Sequence, residues 1–228
     1  QYLRIKDMVS NNIQTVLNSG QYIMGAEISQ LEKELSVYVG VKHCLSCASG
    51  TDALLIPLMA WGIGEGDAVF TTPFTFIATA EVISLVGATP IFVDIDRDTF
   101  NINPELLDEA IQKVKNERKL NAKVIIPVDL FGLCANYSQI IEIAKKHNLI
   151  ILEDGAQGFG AVQNGKKSCS FGTAAATSFF PAKPLGCYGD GGAMFTNEDV
   201  LAEQLARIAN HGQKVRYYHE MVGCNSRS

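Results

Sequence analysis

The sequence predicts an α/β domain built on a mostly parallel sheet with helices on both faces. Between residues 68 and 153, strand patterns and helix patterns alternate, which is the order that βαβ units produce. The strand patterns are short apolar runs without a polar face, as expected for strands that are covered on both sides. The 228 residues are 47% hydrophobic and 19% charged, which is enough apolar material for one well-packed domain.

Two amphipathic helices are predicted ahead of the sheet. Apolar residues recur at helical spacing over residues 5–17 and 25–39, and these patterns end at Gly20 and Gly40. We therefore divide the chain into N-terminal helices at residues 1–40 and an α/β core at residues 41–228.

The core begins with a predicted strand at residues 43–47, followed by an apolar helix at residues 52–61. Pro57 lies inside this helix and is expected to kink it. The glycine-rich segment 62–66 leaves a helix instead of opening one, so it predicts a turn and not a dinucleotide-binding loop.

The remaining elements follow in alternation. Strands are predicted at residues 68–71, 90–94, 124–128 and 149–153, and helices at residues 75–86, 104–115 and 137–147, with Asn103 as an N-cap. After Asp154 the pattern predicts short strands at residues 159–163, 174–180 and 192–196, and then a helix at residues 198–211.

Composition excludes several classes of function. The formal charge of −5 gives no footprint for nucleic acid or an anionic membrane, and no apolar run is long enough to cross a bilayer. We therefore expect a cytoplasmic protein with neither partner. Cys44 and Cys47 form a lone C-x-x-C without a second ligand pair, which favours packed core thiols over a metal or redox site.

Ligands of open parallel sheets bind beyond the carboxyl ends of the strands. There, Ser49, Gly50 and Thr51 stand between a strand and a helix start, which suits a phosphate or an ordinary helix cap. Phe76 could stack on a planar ligand or belong to the core.

Two further segments reach the same edge of the predicted sheet. Asp154 ends an apolar strand, with Gln157 three residues on, and it could meet a ligand, cap a turn or pair with a structural arginine. Lys183 lies in a Pro- and Gly-rich turn and is either a reactive amine or a surface charge. Together, a phosphate cradle, a flat apolar surface, a carboxylate and a lysine are the parts that a pyridoxal 5'-phosphate site requires.

Five motifs resemble the nucleotide-sugar aminotransferases of the DegT/DnrJ/EryC1/StrS group. They are S-G-T-D-A-L (49–54), T-P-F-T-F-I-A-T (72–79), E-D-G-A-Q (153–157), S-F-F-P-A-K-P-L-G-C-Y-G-D-G-G-A (178–193) and G-C-N-S-R (223–227). The resemblance runs in order along nearly the whole chain. It implies the large domain of a fold-type I pyridoxal phosphate enzyme that works as a homodimer with shared active sites.

The resemblance also implies a role for each matching residue. Lys183 would bind the cofactor covalently, and Asp154 would pair with its pyridine nitrogen. Phe76 would stack on the ring and Gln157 would lie near the ring hydroxyl. The phosphate would be held by Gly50, Thr51 and Ser178, and by Asn225 of the neighbouring subunit.

Within the group, the motifs are most similar to enzymes that aminate C3 of a UDP-linked 3-keto-N-acetylglucosaminuronic acid. Their amino donor is L-glutamate and their product serves surface polysaccharide such as lipopolysaccharide O-antigen. Two alternatives remain: a deoxysugar dehydratase of the same fold, in which histidine replaces the lysine, and a non-catalytic homologue that acts as a binding module.

The chain departs from the group in three ways. Gly155 stands where Ala is usual and Gly158 where Ser is usual, so we expect a looser turn behind Asp154 and Gln157. Pro57 is expected to interrupt the helix behind the phosphate loop. The sequence ends shortly after N-S-R, so the small C-terminal domain of the group is expected to be missing.

Overall fold

The computed structural model describes residues 2–227, so Gln1 and Ser228 at the ends of the predicted domain lie outside the described residues. Its helices are α1 (Tyr2–Ser19), α2 (Ala26–Val39), α3 (Gly50–Ala60), α4 (Ala78–Leu85), α5 (Pro104–Glu117), α6 (Tyr137–His147) and α7 (Asp199–Ala209). Its strands are β1 (His43–Cys47), β2 (Asp67–Thr71), β3 (Thr89–Phe92), β4 (Asn121–Ile125), β5 (Ile150–Asp154), β6 (Val162–Gln163), β7 (Lys166–Lys167), β8 (Ala174–Ser178), β9 (Gly192–Thr196), β10 (Gln213–Val215) and β11 (Tyr218–His219).

Seven strands form the central sheet in the order β1-β9-β8-β5-β4-β2-β3. Neighbours from β8 to β3 are parallel, and only β9 runs antiparallel to the strands on both of its sides. Strands β6 with β7 and β10 with β11 form two separate hairpins. The predicted mostly parallel α/β sheet is therefore confirmed.

The two faces of the sheet bury separate hydrophobic clusters. One face packs on α3, α4 and α7, and the other on α5 and α6 over one half and on α2 over the other. Alternation along each strand produces this division: Ile151 of β5 faces α6 while Leu152 faces α3. Helix α1, by contrast, has no buried residue.

Most predicted elements are present, with ends displaced by one to three residues. The strand predicted at residues 124–128 is displaced by three residues, because β4 begins at Asn121 beside Asp67 of β2 and ends before Pro127, which lacks an N–H. Helix α4 begins at Ala78 instead of residue 75. The strand predicted at residues 159–163 is mostly a turn, and only its last two residues belong to the β6–β7 hairpin.

The interruption expected at Pro57 does not occur. Helix α3 continues past it to Ala60, and the Pro57 carbonyl accepts a hydrogen bond from the Trp61 N–H. Pro57 itself is buried, so its ring contributes to the core while one intrahelical donor is lost.

The C-x-x-C segment lies on β1, where residues three apart point to opposite faces of the sheet. Cys44 packs in the cluster under α2, whereas Cys47 packs in the cluster under α3. Burial raises the pKa of both thiols. This arrangement fits core packing of both thiols.

Within residues 2–227, no helix combines the length and the apolar character needed to span a lipid bilayer.

The N-cap of α5 provides a test of local stability. The Asn103 side chain accepts hydrogen bonds from the N–H groups of Glu105 and Leu106, so Asn103→Ala should lower the free energy of unfolding by about 1 kcal/mol. Urea unfolding would measure this loss. Asn116→Ala in the same helix is the control, since that exposed side chain caps nothing; equal losses for both variants would contradict the assignment.

Candidate active site

A pocket of about 810 Å³ opens at the carboxyl ends of the parallel strands. Among the residues that line it are all of the predicted site residues except Asn225: Gly50, Thr51, Phe76, Asp154, Gln157, Ser178 and Lys183. Segments separated by more than a hundred residues in sequence therefore converge on one cavity.

One wall of the pocket is the N-terminus of α3. The Ser49 hydroxyl caps the helix by accepting a hydrogen bond from the Asp52 N–H at 3.0 Å. The N–H groups of the first turn, including those of Gly50 and Thr51, have no partner within the helix and carry the positive end of its dipole. This end of α3 can hold an anion in addition to being capped.

Gly50 and Ser178 meet closely at this wall. A Cβ added at Gly50 would lie 2.5 Å from the Ser178 Cβ, so only glycine allows α3 and β8 to approach this far. The Ser178 oxygen accepts a hydrogen bond from the Phe180 N–H at 3.2 Å, which leaves its hydroxyl hydrogen for a ligand.

Asp154 lies at the end of β5 with only 5% of its surface exposed. Its Oδ2 accepts a hydrogen bond from the Thr79 hydroxyl at 2.8 Å, and its Oδ1 accepts one from the Ala156 N–H at 3.2 Å. Burial raises the pKa of Asp154, while these donors and the charge of Lys183 lower it by a smaller amount. A cationic ligand group in the pocket would therefore find a desolvated, oriented carboxyl group.

Thr79 is a site residue that the sequence interpretation did not single out. Its hydroxyl also lies 2.9 Å from that of Thr75, four residues earlier in the segment before α4. The signal in the sequence was a threonine at helical spacing from the apolar residues Val82 and Ile83, because a polar group on a buried helix face needs a hydrogen-bond partner.

The other two walls are formed by Phe76 and Lys183. Phe76 is 63% exposed and lines the pocket, so the alternative that it belongs to the core is wrong. The half-buried Lys183 follows β8 in a turn closed by a hydrogen bond from its N–H to the Phe180 carbonyl at 2.8 Å. Because it lines the same pocket as Asp154, Lys183 is not a remote surface lysine.

The turn from Gly155 to Gly158 is tightly packed, contrary to the looser turn that we expected. A Cβ added at Gly155 would lie 2.5 Å from the Cys169 sulfur, and one added at Gly158 would lie 2.4 Å from the Asp129 Cβ. The space of the missing side chains is thus already filled. On the same turn, the Gln157 Oε1 accepts a hydrogen bond from the Phe131 N–H at 3.2 Å.

Asn225 is the predicted residue that this chain does not bring to the pocket. It is exposed, and its Oδ1 accepts hydrogen bonds from the Arg227 guanidinium at 2.8 and 3.1 Å. The next residue, Ser226, is buried instead: its hydroxyl donates to Asp52 at 2.6 Å and accepts from the Ala48 N–H at 3.1 Å. Ser226 thereby ties the end of the chain to the start of α3.

Comparison with known proteins gives consistent matches. A profile of the DegT/DnrJ/EryC1/StrS aminotransferase family matches residues 4–227. The UDP-2-acetamido-2-deoxy-3-oxo-D-glucuronate aminotransferase of Pseudomonas aeruginosa is 53% identical over all of this chain and 61% of its own length. The UDP-N-acetyl-3-dehydro-alpha-D-glucosamine 3-aminotransferase of Acidithiobacillus ferrooxidans is 42% identical over 98% of this chain and 58% of its own.

Solved structures agree with the sequence matches. The crystal structure of a DegT/DnrJ/EryC1/StrS aminotransferase from Brucella abortus superposes with a TM-score of 0.98 at 50% identity, covering 100% of this chain and 61% of that one. NtdA from Bacillus subtilis, solved with the cofactor PMP bound, gives a TM-score of 0.90 at 32% identity, covering 100% of this chain and 50% of that one. This chain thus spans about 60% of the length of the curated relatives that it matches. It belongs to the DegT/DnrJ/EryC1/StrS aminotransferase family.

Proposed function

We propose that this chain forms the cofactor-binding part of a pyridoxal phosphate-dependent aminotransferase. The enzyme would move an amino group from L-glutamate to the keto carbon of a nucleotide-linked sugar. The observation that carries the proposal is the convergence of Lys183, Asp154, Phe76 and the α3 N-terminus on one pocket.

The residues present fit the cofactor. The free N–H groups at the start of α3 and the Ser178 hydroxyl suit its phosphate. The exposed ring of Phe76 offers a stacking surface, and the buried Asp154 carboxyl suits the ring nitrogen. Gln157 would lie near the ring hydroxyl.

When bound, pyridoxal phosphate supplies a reactive carbonyl carbon and a ring that accepts electrons. Lys183 contributes an amine that binds the cofactor and can take up and return a proton at the substrate carbon. Asp154 stabilises a protonated ring nitrogen, and the Thr79 and Ala156 donors hold its carboxyl group in one orientation.

The substrate is inferred from the relatives. The protein that is 53% identical acts on a UDP-linked 3-keto sugar acid, which supports C3 of UDP-2-acetamido-3-keto-glucuronic acid as the acceptor. Its product would enter surface polysaccharide biosynthesis, including lipopolysaccharide O-antigen. Cytoplasmic location fits both the nucleotide-sugar substrate and the acidic, cysteine-containing chain.

We propose a homodimer in which each pocket is completed by Asn225 of the partner subunit. The outward position of Asn225 on its own chain supports this arrangement. The two alternatives are less well supported. Lys183 disfavours the dehydratase, and the intact set of cofactor-binding groups disfavours a binding module without catalysis.

Lys183→Ala should abolish the absorbance band of the lysine-bound cofactor and the band's shift on addition of glutamate. The rate of amino transfer from glutamate should fall on the order of a thousandfold or more, because the covalent link and the proton carrier are both lost. Lys166→Ala, on the exposed β6–β7 hairpin, is the control and should behave as the wild type. A band that survives Lys183→Ala unchanged would show that the site lies elsewhere.

Asp154→Asn should separate stability from cofactor binding. The folded-state pKa of Asp154 is raised, so ionising it costs folding free energy as the pH rises from about 3.9 to that pKa. Over this pH interval, the free energy of unfolding of the cofactor-free variant should therefore rise relative to that of the wild type. Loss of a charge-assisted hydrogen bond should weaken pyridoxal phosphate binding about tenfold or more.

The control for this pH series is Asp96→Asn. Hydrogen bonds from Thr99 lower the pKa of Asp96, so this variant should lose stability relative to the wild type as the pH rises. Unfolding curves that respond to pH with the same sign in both variants would contradict the assigned shifts.

Mixing two variants, at a pyridoxal phosphate concentration too low to load either one alone, tests the shared site. In a heterodimer of Lys183→Ala and Asn225→Ala chains, one pocket carries both substitutions and the other carries neither. A randomly reassociated equal mixture should regain about a quarter of wild-type activity per chain. No gain over the separate variants, with mixed dimers shown by mass spectrometry, would place Asn225 in its own chain's site or outside any site.

A further inference from the structure

A second pair of carboxyl groups lies behind Asp154. Glu153 precedes Asp154 on β5, so its side chain points to the opposite face of the sheet. Asp129 follows β4, beside Glu153. Both residues are 0% exposed, and within residues 2–227 neither forms an ion pair with lysine, arginine or histidine.

The contacts and the burial of the pair favour one shared proton. The Ser168 hydroxyl lies 2.5 Å from the Asp129 Oδ2 and 3.2 Å from the Glu153 Oε1, yet it has only one hydrogen to donate. Two ionised carboxylates that are fully buried, have no cation between them and flank the same hydroxyl would repel each other strongly, so one of them is expected to stay protonated. The pair therefore holds one proton and one negative charge.

The remaining donors around the pair come from backbone and tyrosine. Asp129 accepts hydrogen bonds from the Tyr137 hydroxyl at 2.8 Å and the Ala135 N–H at 3.0 Å. Glu153 accepts from the N–H groups of Cys169 and Phe171, the latter at 2.9 Å. Each carboxyl group is thus held in place by several elements.

This hydrogen-bonded network packs directly against the turn from Gly155 to Gly158, which carries Gln157 and follows Asp154. The Asp129 N–H donates to the Asp154 carbonyl at 2.9 Å, and the Asp129 Cβ fills the space beside Gly158. Ser168 and Cys169 fill the space beside Gly155. Cys169 has a φ of 73°, a strained value for a residue with a side chain, and its sulfur is the atom that lies against Gly155.

We propose that Asp129 is a positioning residue. With Glu153 and Ser168 it forms a buried carboxyl pair that shares one proton, and this pair fixes the turn from Gly155 to Gly158 so that Asp154 and Gln157 face the cofactor. The inference rests on the proposed function, because it assigns Asp129 a task in the same site without contact with the cofactor or substrate.

The shared proton makes the network sensitive to pH. Burial raises the pKa of both acids, so the folded protein retains a proton that the unfolded chain loses. Stability therefore falls as the pH rises from about 4 to the folded pKa of the pair. The other titratable groups that face the pair are Tyr137, Cys134, Cys169 and Asp154.

Two substitutions in the full-length protein separate the roles of Asp129. In Asp129→Asn, the side-chain amide can donate to the Ser168 oxygen in place of the shared proton, and Ser168 can still donate to Glu153, so pyridoxal phosphate should bind within about threefold of wild type. In Asp129→Leu, the branching and the number of side-chain heavy atoms are kept but every side-chain hydrogen bond is lost, and the dissociation constant should rise about tenfold or more. Equilibrium titration of the cofactor would measure both values.

A matched variant controls for loss of stability. Ile140→Ala removes a fully buried side chain from the hydrophobic cluster that contains Tyr137. Ile140 is not part of the turn from Gly155 to Gly158, so this variant should leave the dissociation constant unchanged. Wild-type affinity in a folded Asp129→Leu protein would overturn the proposal, as would an equal loss of affinity in the Asn and Leu variants.

If Asp129→Leu does not fold, Ser168→Ala replaces it. A severalfold weaker affinity is then expected, and an unchanged affinity would overturn the proposal.

Proton uptake on folding, measured without cofactor, tests the network separately from the proposed function. Near neutral pH, the Asp129→Asn protein should bind fewer protons on folding than the wild type, by as much as one, since its amide replaces the shared proton. Equal uptake would overturn the shared-proton network. If instead the wild type forms no lysine-bound cofactor, the proposed function fails while this proton count still decides the network.

Discussion

The site depends on a place where three chain segments meet without room for a side chain. Gly50 at the start of α3 lies against Ser178 of β8, and a Cβ added at Gly192 of β9 would lie 2.5 Å from the Ser49 carbonyl oxygen. Backbone atoms cannot yield as flexible side chains can. This contact therefore sets the distance between the α3 N-terminus and β8, and with it the width of the pocket that Lys183 enters after β8.

The pocket also holds the Asp154 carboxyl group where its ionised form does not stabilise the cofactor-free protein. Asp154 is desolvated at the end of β5, which raises its pKa and makes its ionised form costly in the cofactor-free protein. Such a cost is typical of functional sites, where a group is held ready for a ligand at the expense of stability. Thr79 and Ala156 offset part of it by donating hydrogen bonds to the carboxyl group.

The sequence predicts the sheet and the convergence of the site because both follow from local patterns. Alternating elements place the strand ends at one edge, and the polar residues just beyond those ends were the ones singled out. The exact start of β4 could not be found this way, since its first residues are polar and are recruited by pairing with β2. Thr79 and Asp129 were missed for a related reason: each acts through a contact with a residue far away in sequence.

Gly155 and Gly158 show how a local interpretation can mislead. Glycine in a turn normally suggests freedom of the backbone, but here each glycine faces a side chain from another segment that fills its space. The absent Cβ allows a closer fit and not a looser one. The rigidity of this turn is therefore a property of the pairs Gly155 with Cys169 and Gly158 with Asp129, which no single position reveals.

In the proposed dimer, the adjacent residues Asn225 and Ser226 connect two pockets. Asn225 and Ser226 are neighbours, yet Ser226 is buried against Asp52 and Ala48 beside its own α3, while Asn225 is exposed. If Asn225 reaches the partner's cofactor phosphate, one short segment is anchored at the phosphate-binding helix of one chain and contacts the phosphate of the other. The α3 N-terminus of one pocket and the phosphate of the other would then be separated by only two adjacent residues.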